Sequence, residues 1–229
     1  MNLLHAPNGL ILVTGKVGMG KTTTLAAFVE AINQEQAKAI ITLEDPIEYV
    51  YQGKKSIISQ RELGRDFFSF PQALKSALRE SADIILIGEI RDKETALAAM
   101  NAAETGALVL GTLHTKSAAE APGRIAGMWP VDERDGVLHQ FADVFLGIFA
   151  QELLPAKGGR VCAMEALTAT TASKNLIRQM KFSQLPSLML AGTSQGMETF
   201  ETSLKKLFAR GAIDRETMFL AMERRVACQ

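Results

Sequence analysis

A glycine-rich segment near the start of the chain constrains its fold more than any other feature. Residues 15–22, GKVGMGKT, match the pattern G-x-x-x-x-G-K-[ST] and lie between an apolar run at 9–14 and a helical pattern at 22–34. The backbone N–H groups of such a loop turn inward at a helix N-terminus, where the helix dipole also favours anions. The segment therefore predicts a strand, a phosphate-binding loop and a helix in succession.

The side chains of this loop indicate a nucleoside triphosphate bound together with Mg²⁺. In loops of this type the lysine, here Lys21, reaches the β- and γ-phosphates, and the hydroxyl of Thr22 coordinates the metal ion. The alternative is a glycine-rich turn that binds no ligand. The predicted nucleotide-binding residues are Gly15, Lys16, Val17, Gly18, Met19, Gly20, Lys21, Thr22 and Thr23.

Short apolar runs alternate with helical patterns through the first half of the chain. The runs GLILVT, KAIITL, DIILIG and ALVLGTL are rich in Val, Ile and Leu at consecutive positions, as in strands buried on both faces. Such a series predicts an α/β fold with a mainly parallel sheet and helical crossovers. The runs occupy 9–14, 38–43, 83–88 and 107–113, and helices are predicted over 22–34, 69–81 with Ser69 as a cap, and 92–103.

The pattern changes in the second half of the chain. Segments 143–154 and 160–167, DVFLGIFAQELL and RVCAMEAL, flank a Lys-Gly-Gly turn and predict an antiparallel hairpin that extends the sheet. The rest of the sequence has helical patterns. We therefore predict a core domain at 1–170 and a C-terminal helical subdomain at 171–229.

Two acidic residues and one histidine follow predicted strands. Glu44 follows the second apolar run, Glu89 the third and His114 the fourth. The carboxyl ends of parallel strands meet at one edge of a sheet, where the metal ion and the attacking water lie in nucleotide-binding folds. The alternatives are helix-capping or solvated carboxylates, and a histidine that only packs.

The charge balance argues against nucleic acid as a partner. The 229 residues include 25 basic and 25 acidic side chains, so the chain has no long-range attraction for a polyanion. Cys162 and Cys228 are far apart and form no C-x-x-C pair, which predicts free thiols. No apolar segment reaches the roughly 18 residues of a membrane span, and no basic segment precedes the apolar run at the start, so a cytoplasmic protein is expected.

Several motifs resemble those of the secretion-superfamily ATPases. That superfamily has a Walker A motif, an Asp box, a Walker B motif and a His box. The order and spacing of five segments here are similar to that set: GxxGxGKT, LEDPIEY, IILIGEIRD, AAETG and GTLHT. SQRELGRD, KGGRV, NLIRQ and SQGMETFETSLKKLFARGAI are similar in particular to the PilT-type motors that retract type IV pili in twitching motility. The tetracysteine zinc insert usual in assembly and type II secretion motors is missing from the sequence. The resemblance implies a RecA-like core that hydrolyses ATP.

The resemblance also implies a role for each candidate site residue. Glu44 and Glu89 divide the work of polarising the attacking water and of holding Mg²⁺ through water, and we favour Glu89 as the general base. Thr22, Glu44 and Glu89 thus form the expected metal set. His114 senses the γ-phosphate. Arg79 acts as an arginine finger across subunits. Because Arg79 ends the predicted helix just before the Glu89 strand, we expect it near the carboxyl edge of the sheet or the adjoining subunit face; the alternative is a solvated arginine that interacts with the helix dipole.

The resemblance further implies partners and an assembly. Full-length motors of this type form homo-hexameric rings on a pilus platform protein of the inner membrane, on its cytoplasmic side, and related motor ATPases are possible partners. They carry an N-terminal PAS-like domain of about 100 residues, whereas 14 residues precede Gly15 here. We therefore expect a core fragment or a reduced relative that is monomeric or weakly oligomeric.

The sequence departs from the family pattern at a few positions. Lys16, Val17 and Met19 differ from the usual loop, which backbone cradling of phosphate tolerates. Lys75 and Ala107 replace an arginine and a histidine, and Pro122 stands in the helix after the His box, where it kinks or restarts that helix. Three alternatives remain: a regulatory subunit that binds nucleotide with poor turnover, a pilus-assembly or secretion ATPase, and a DNA-translocating ATPase. Zero net charge and sparse aromatic residues disfavour the last.

Overall fold

One mixed sheet organises the part of the chain that the computed structural model describes, residues 3–226. Its seven strands are β1 (Gly9–Thr14), β2 (Ala39–Glu44), β3 (Ile57–Glu62), β4 (Ile84–Ile87), β5 (Leu108–Leu113), β6 (Phe145–Ala156) and β7 (Gly159–Thr168). The order across the sheet is β3-β2-β4-β5-β1-β6-β7. Strands β1 to β6 are parallel and β7 is antiparallel to β6, which confirms the predicted α/β fold and its hairpin. The predicted thiol Cys228 lies outside the described residues.

Helices cover both faces of the sheet. They are α1 (Lys21–Glu35), α2 (Phe70–Arg79), α3 (Lys93–Glu104), α4 (Ala121–Ala126), α5 (Arg134–Val144), α6 (Thr171–Arg178), α7 (Leu185–Ala191), α8 (Phe200–Ala209) and α9 (Arg215–Val226). On one face, Val29 of α1 packs in a cluster with Ile11 of β1. On the other face, Leu74 of α2 and Phe141 of α5 belong to a cluster with Leu12. Because successive strand side chains point to opposite faces, this double coverage requires the continuous apolar run of β1.

Strand β3 is the sheet element that the sequence did not predict. It pairs with β2 at the edge of the sheet. Its sequence, IISQRE, has two apolar residues followed by polar ones, and none of the six is buried. An edge strand with so little burial lacks the long apolar run that identifies an inner strand.

The helices begin close to the positions that the sequence predicts, but one of the two caps lacks its expected hydrogen bond. Asp92 caps α3, because its carboxylate accepts a hydrogen bond from the backbone N–H of Thr95 at 2.7 Å. Ser69 occupies the N-cap position of α2, but its side chain makes no capping hydrogen bond. Pro122 lies in the first turn of α4. It therefore starts that helix, since a proline there removes no intrahelical hydrogen bond.

The C-terminal helices pack against the core. Ile177, Leu185 and Met189 are buried in the same cluster as one face of the sheet, and Glu198 forms an isolated antiparallel bridge with Ala166 of β7. The predicted division of the chain at residue 171 stays a prediction. Every helix within residues 3–226 is too short or too polar to span a lipid bilayer.

Candidate nucleotide site

The glycine-rich loop connects β1 directly to α1. Gly15, Gly18 and Gly20 have φ angles of 149°, 78° and 80°, in a region that favours glycine because it has no Cβ. Gly20 is the N-cap of α1, and Lys21 and Thr22 are the first residues of the helix. The loop therefore presents the N-terminal end of α1, with its unpaired backbone N–H groups, to an anion.

Gln151 of β6 holds this loop in place through two side-chain hydrogen bonds. Its Nε2 donates to the carbonyl of Met19 at 2.6 Å, and its Oε1 accepts from the hydroxyl of Thr24 at 2.8 Å. Its backbone carbonyl lies so close to Gly15 that an added Cβ would be 2.5 Å from the oxygen. The sequence does not predict this role of Gln151, because no local motif marks a contact between residues more than a hundred positions apart.

Gly15→Ala is expected to destabilise the chain and to disrupt the loop. The new Cβ collides with the carbonyl oxygen of Gln151, and a residue other than glycine is strained at this φ, which together cost about 3 kcal/mol. Gly18→Ala is the matched control, because nothing lies within 4 Å of its added Cβ. Thermal unfolding measures both effects, and equal midpoints for the two variants would contradict the close approach at Gly15.

The side chain of Lys21 contacts both the loop backbone and His114. Its Nζ donates to the carbonyls of Gly15 and Lys16 at 2.9 and 3.1 Å, and it is 3.4 Å from Nδ1 of His114. An ammonium can only donate, so Nδ1 of His114 accepts and the ring proton resides on Nε2. Burial lowers the pKa of Lys21, and the nearby carboxylate of Glu89 partly opposes this shift.

Glu89 contacts the side chains of two basic residues, His114 and Arg91. Its Oε1 lies 3.0 Å from Nε2 of His114, and its Oε2 lies 2.7 Å from the guanidinium of Arg91. Burial opposes ionisation, but Arg91 and His114 outweigh it and hold the pKa of Glu89 below its ordinary value. The carboxylate is therefore ionised at neutral pH. The sequence predicted Glu89 and His114 but assigned no role to Arg91, although it stands two residues after Glu89.

Glu44 ends β2, next to β4. It is 4% exposed, and its Oε1 accepts hydrogen bonds from the hydroxyl of Thr42 at 2.7 Å and the amide of Gln60 at 3.2 Å. Two donors thus fix the orientation of this carboxylate. Gln60 belongs to β3, the strand that the sequence missed, so its contact was missed as well.

These groups surround one cleft at the carboxyl edge of the sheet. The cleft has a volume of about 620 Å³, within the range of small-molecule sites. Of the predicted residues, the cleft is lined by Val17, Gly18, Gly20, Lys21, Thr22, Thr23, Glu44, Glu89 and His114. Gly15, Lys16 and Met19 line a smaller cavity of about 120 Å³ behind the loop.

The oxygen donors of the cleft fit a magnesium ion that also binds phosphate. Thr22, Glu44 and Glu89 all line the cleft, and hydroxyl and carboxylate oxygens are ligands that Mg²⁺ accepts. Within residues 3–226, no group of three or more His, Cys, Asp or Glu residues could hold a metal ion by itself.

Arg79 does not lie at the carboxyl edge. It is the last residue of α2 and is exposed, and the short connection that follows places the N–H of Asp83 3.0 Å from the carbonyl of Ala39, at the amino end of β2. The expectation of a carboxyl-edge position in its own sheet is wrong, because a crossover helix returns to the amino end of the next parallel strand. The cross-subunit role of Arg79 stays a prediction.

Comparison with known proteins assigns this chain to a family. The model of the family described as type II/IV secretion system protein matches residues 1–208. The chain belongs to this family. The type IV pilus retraction ATPase PilT of Pseudomonas aeruginosa is 47% identical over 211 residues, which are 92% of this chain and 61% of that protein. A twitching motility protein of Neisseria gonorrhoeae is 46% identical over 216 residues, covering 93% and 58%.

Solved structures of family members share the fold. The pilus retraction motor PilT with bound ADP matches with a TM-score of 0.88 at 47% identity, over 96% of this chain and 62% of that one. The Legionella pneumophila ATPase DotB matches with a TM-score of 0.87 at 27% identity, over 96% and 62%. These matches confirm the resemblance seen in the motifs. This member of the family spans about three fifths of the length of these relatives.

Proposed function

We propose that this chain binds ATP with Mg²⁺ in the cleft and hydrolyses it. The observation that carries the proposal is the connected group of Lys21, His114 and Glu89, which joins the phosphate-binding loop to the ends of two inner strands. These contacts bring an ammonium, an imidazole and a carboxylate together, and the proposal assigns them phosphate binding, γ-phosphate sensing and general-base catalysis. The family match and the similarity to a PilT structure with bound ADP support the assignment.

Lys21 and the loop bind the phosphates in this proposal. The ammonium exchanges its contacts with the Gly15 and Lys16 carbonyls for oxygens of the β- and γ-phosphates, while the backbone N–H groups of the loop cradle them. Thr22, Glu44 and Glu89 would hold Mg²⁺, directly or through water. When bound, that ion neutralises charge on the phosphate oxygens.

Glu89 is the proposed general base. A water molecule beside the γ-phosphate transfers a proton to the Glu89 carboxylate. At the same time the water oxygen attacks the γ-phosphorus, and ADP is the leaving group. His114 contacts the same carboxylate, because its Nε2 lies 3.0 Å from Oε1 of Glu89. It therefore competes with the attacking water for this acceptor. When the ring turns to the γ-phosphate, Glu89 loses one hydrogen-bond donor and becomes more basic. Hydrolysis is thereby coupled to recognition of the third phosphate.

We further propose that the hydrolysis powers movement in a pilus machine. The similarity to a pilus retraction ATPase and to a twitching motility protein favours retraction, and a pilus-assembly or secretion motor is the nearest alternative. The proposed assembly of the full-length protein is a homo-hexameric ring on an inner-membrane platform protein, at the cytoplasmic side, with related motors as possible ring partners.

A second candidate is a subunit that binds nucleotide without turning it over. Two departures from the family pattern favour it: Lys75 is an exposed lysine on α2, which lacks the planar fork of an arginine, and Ala107 is buried where a histidine is usual. Phosphate release from Mg-ATP by the purified chain separates the candidates. Release supports the motor. Tight binding without release, with activity only after mixing with a full-length relative, supports the regulatory subunit.

Arg79→Ala tests the proposed contact between subunits. A cation supplied by a neighbour stabilises charge that develops in the transition state, an effect of about 10³-fold or more in related nucleotide hydrolases. We expect the variant to lower turnover while ATP affinity is retained, and the specific activity of the parent chain to rise with protein concentration. A specific activity that stays constant from nanomolar to high micromolar protein would contradict this role, as would an equal loss of affinity and turnover.

A further inference from the structure

A buried ion pair outside the cleft involves the last helix. Glu165 of β7 is 6% exposed, and its Oε2 lies 2.8 Å from the guanidinium of Arg225 in α9. The same guanidinium lies 4.0 Å from the ring centre of Phe200 in α8. A charge buried this deeply needs its partners, since an unpaired one is strongly unfavourable.

The other oxygen of Glu165 contacts the loop that carries His114. Its Oε1 accepts a hydrogen bond from the backbone N–H of Ala118 at 3.0 Å. At the other end of this segment, which we call the 114–118 loop, the N–H of Thr115 donates to the hydroxyl of Thr14 at 2.7 Å. The loop is therefore fixed at two points, by the strand before the phosphate-binding loop and by Glu165. His114 lies immediately before the first point.

The neighbouring arginine of α9 contacts a residue next to the support of the phosphate-binding loop. Arg224 lies 3.5 Å from Glu152 of β6, the residue that follows Gln151. Gln151 in turn holds the loop through the carbonyl of Met19. Two consecutive arginines of one helix thus contact Glu165, which holds the 114–118 loop, and Glu152, the neighbour of the residue that holds the phosphate-binding loop.

We infer that Glu165, held by Arg225, is a positioning residue that fixes the 114–118 loop and so places the His114 ring for contact with the γ-phosphate. The inference rests on the proposed function. It gives α9 a part in distinguishing ATP from ADP, although this helix lies outside the cleft. Burial raises the pKa of Glu165 despite the opposing charge of Arg225. The guanidinium of Arg225 and the N–H of Ala118 both favour the charged carboxylate. Removal of the guanidinium therefore favours the neutral carboxyl, which is a weaker acceptor for the Ala118 hydrogen bond.

The test compares affinities for ADP and for a non-hydrolysable ATP analogue, both with Mg²⁺, by calorimetry. Glu165→Leu removes the acceptor, so we expect the analogue to bind about threefold to tenfold more weakly. ADP affinity should stay close to that of the parent, because ADP has no γ-phosphate for His114 to meet. Glu165→Gln keeps an acceptor for Ala118 and should restore most of the preference.

Two further variants keep the test decisive. Arg225→Gln leaves β7 intact and should lower the preference in the same direction, so it decides the matter if Glu165→Leu does not fold. Glu198→Gln is the control, because this carboxylate pairs with Lys206 at 3.0 Å within the same C-terminal segment. The inference is overturned if the folded variants keep the parent's preference for the ATP analogue over ADP, or if they lose affinity for both nucleotides equally. Either result leaves the proposed function standing. If Lys21→Ala leaves both affinities intact, the proposed function fails instead.

Discussion

Glu89→Gln is expected to bind ATP and to fail to hydrolyse it. Glutamine keeps the size of the side chain and can accept the hydrogen bond from His114, but it cannot take a proton from the attacking water. General-base catalysis contributes about 10²-fold to 10⁴-fold to a rate, and turnover should fall by that factor. Phosphate release at saturating Mg-ATP measures the loss.

Glu94→Gln provides the control for this substitution. Glu94 is an exposed carboxylate in the first turn of α3, five residues along the chain from Glu89, so its neutralisation should leave turnover unchanged. Calorimetry should show that Glu89→Gln retains its affinity for the ATP analogue. Full turnover in Glu89→Gln would transfer the base role to Glu44, and Glu44→Gln would then be the inactive variant.

Lys21→Ala is expected to cause the largest loss of nucleotide affinity. The ammonium already makes three polar contacts within the loop and with His114, so it is held where phosphate oxygens replace those partners. A hydrogen bond to a charged group contributes about 1.5–3 kcal/mol, which predicts an ATP affinity roughly 10-fold to 100-fold lower. Calorimetric titration with the ATP analogue measures it.

Lys205→Ala is the matched control for the loss of a lysine. Lys205 pairs with Glu201 on the exposed face of α8, and such surface pairs contribute little to stability. Its affinity for nucleotide should equal that of the parent chain. A loss of affinity in this variant comparable to that in Lys21→Ala would mean that the effect comes from general charge and not from the loop.

The features that the sequence predicted are those encoded by neighbouring residues. The phosphate-binding loop is readable because its glycines, lysine and threonine follow one another within eight positions. The inner strands are readable because burial on both faces leaves a run of Val, Ile and Leu. Glu44, Glu89 and His114 could be placed in one cleft because each follows such a strand in a parallel sheet.

The features that the sequence did not predict depend on contacts between distant segments. β3 has no apolar run because it is an edge strand, and with it the contact from Gln60 to Glu44 was missed. Gln151 and Glu165 act through hydrogen bonds to backbone groups, which no side-chain pattern records. Arg79 was misplaced because the direction of a crossover helix, and not its distance in sequence from Glu89, decides which edge of the sheet it reaches.

Steady-state phosphate release from ATP in the presence of Mg²⁺, measured for the parent chain and Lys21→Ala in parallel, decides whether the cleft hydrolyses ATP. The two preparations must show the same thermal unfolding midpoint, so that a difference in release reports on the site. The parent chain should release phosphate at a rate that chelation of Mg²⁺ abolishes, and Lys21→Ala should release none above background. Equal release by the two chains would contradict an ATPase site built around Lys21.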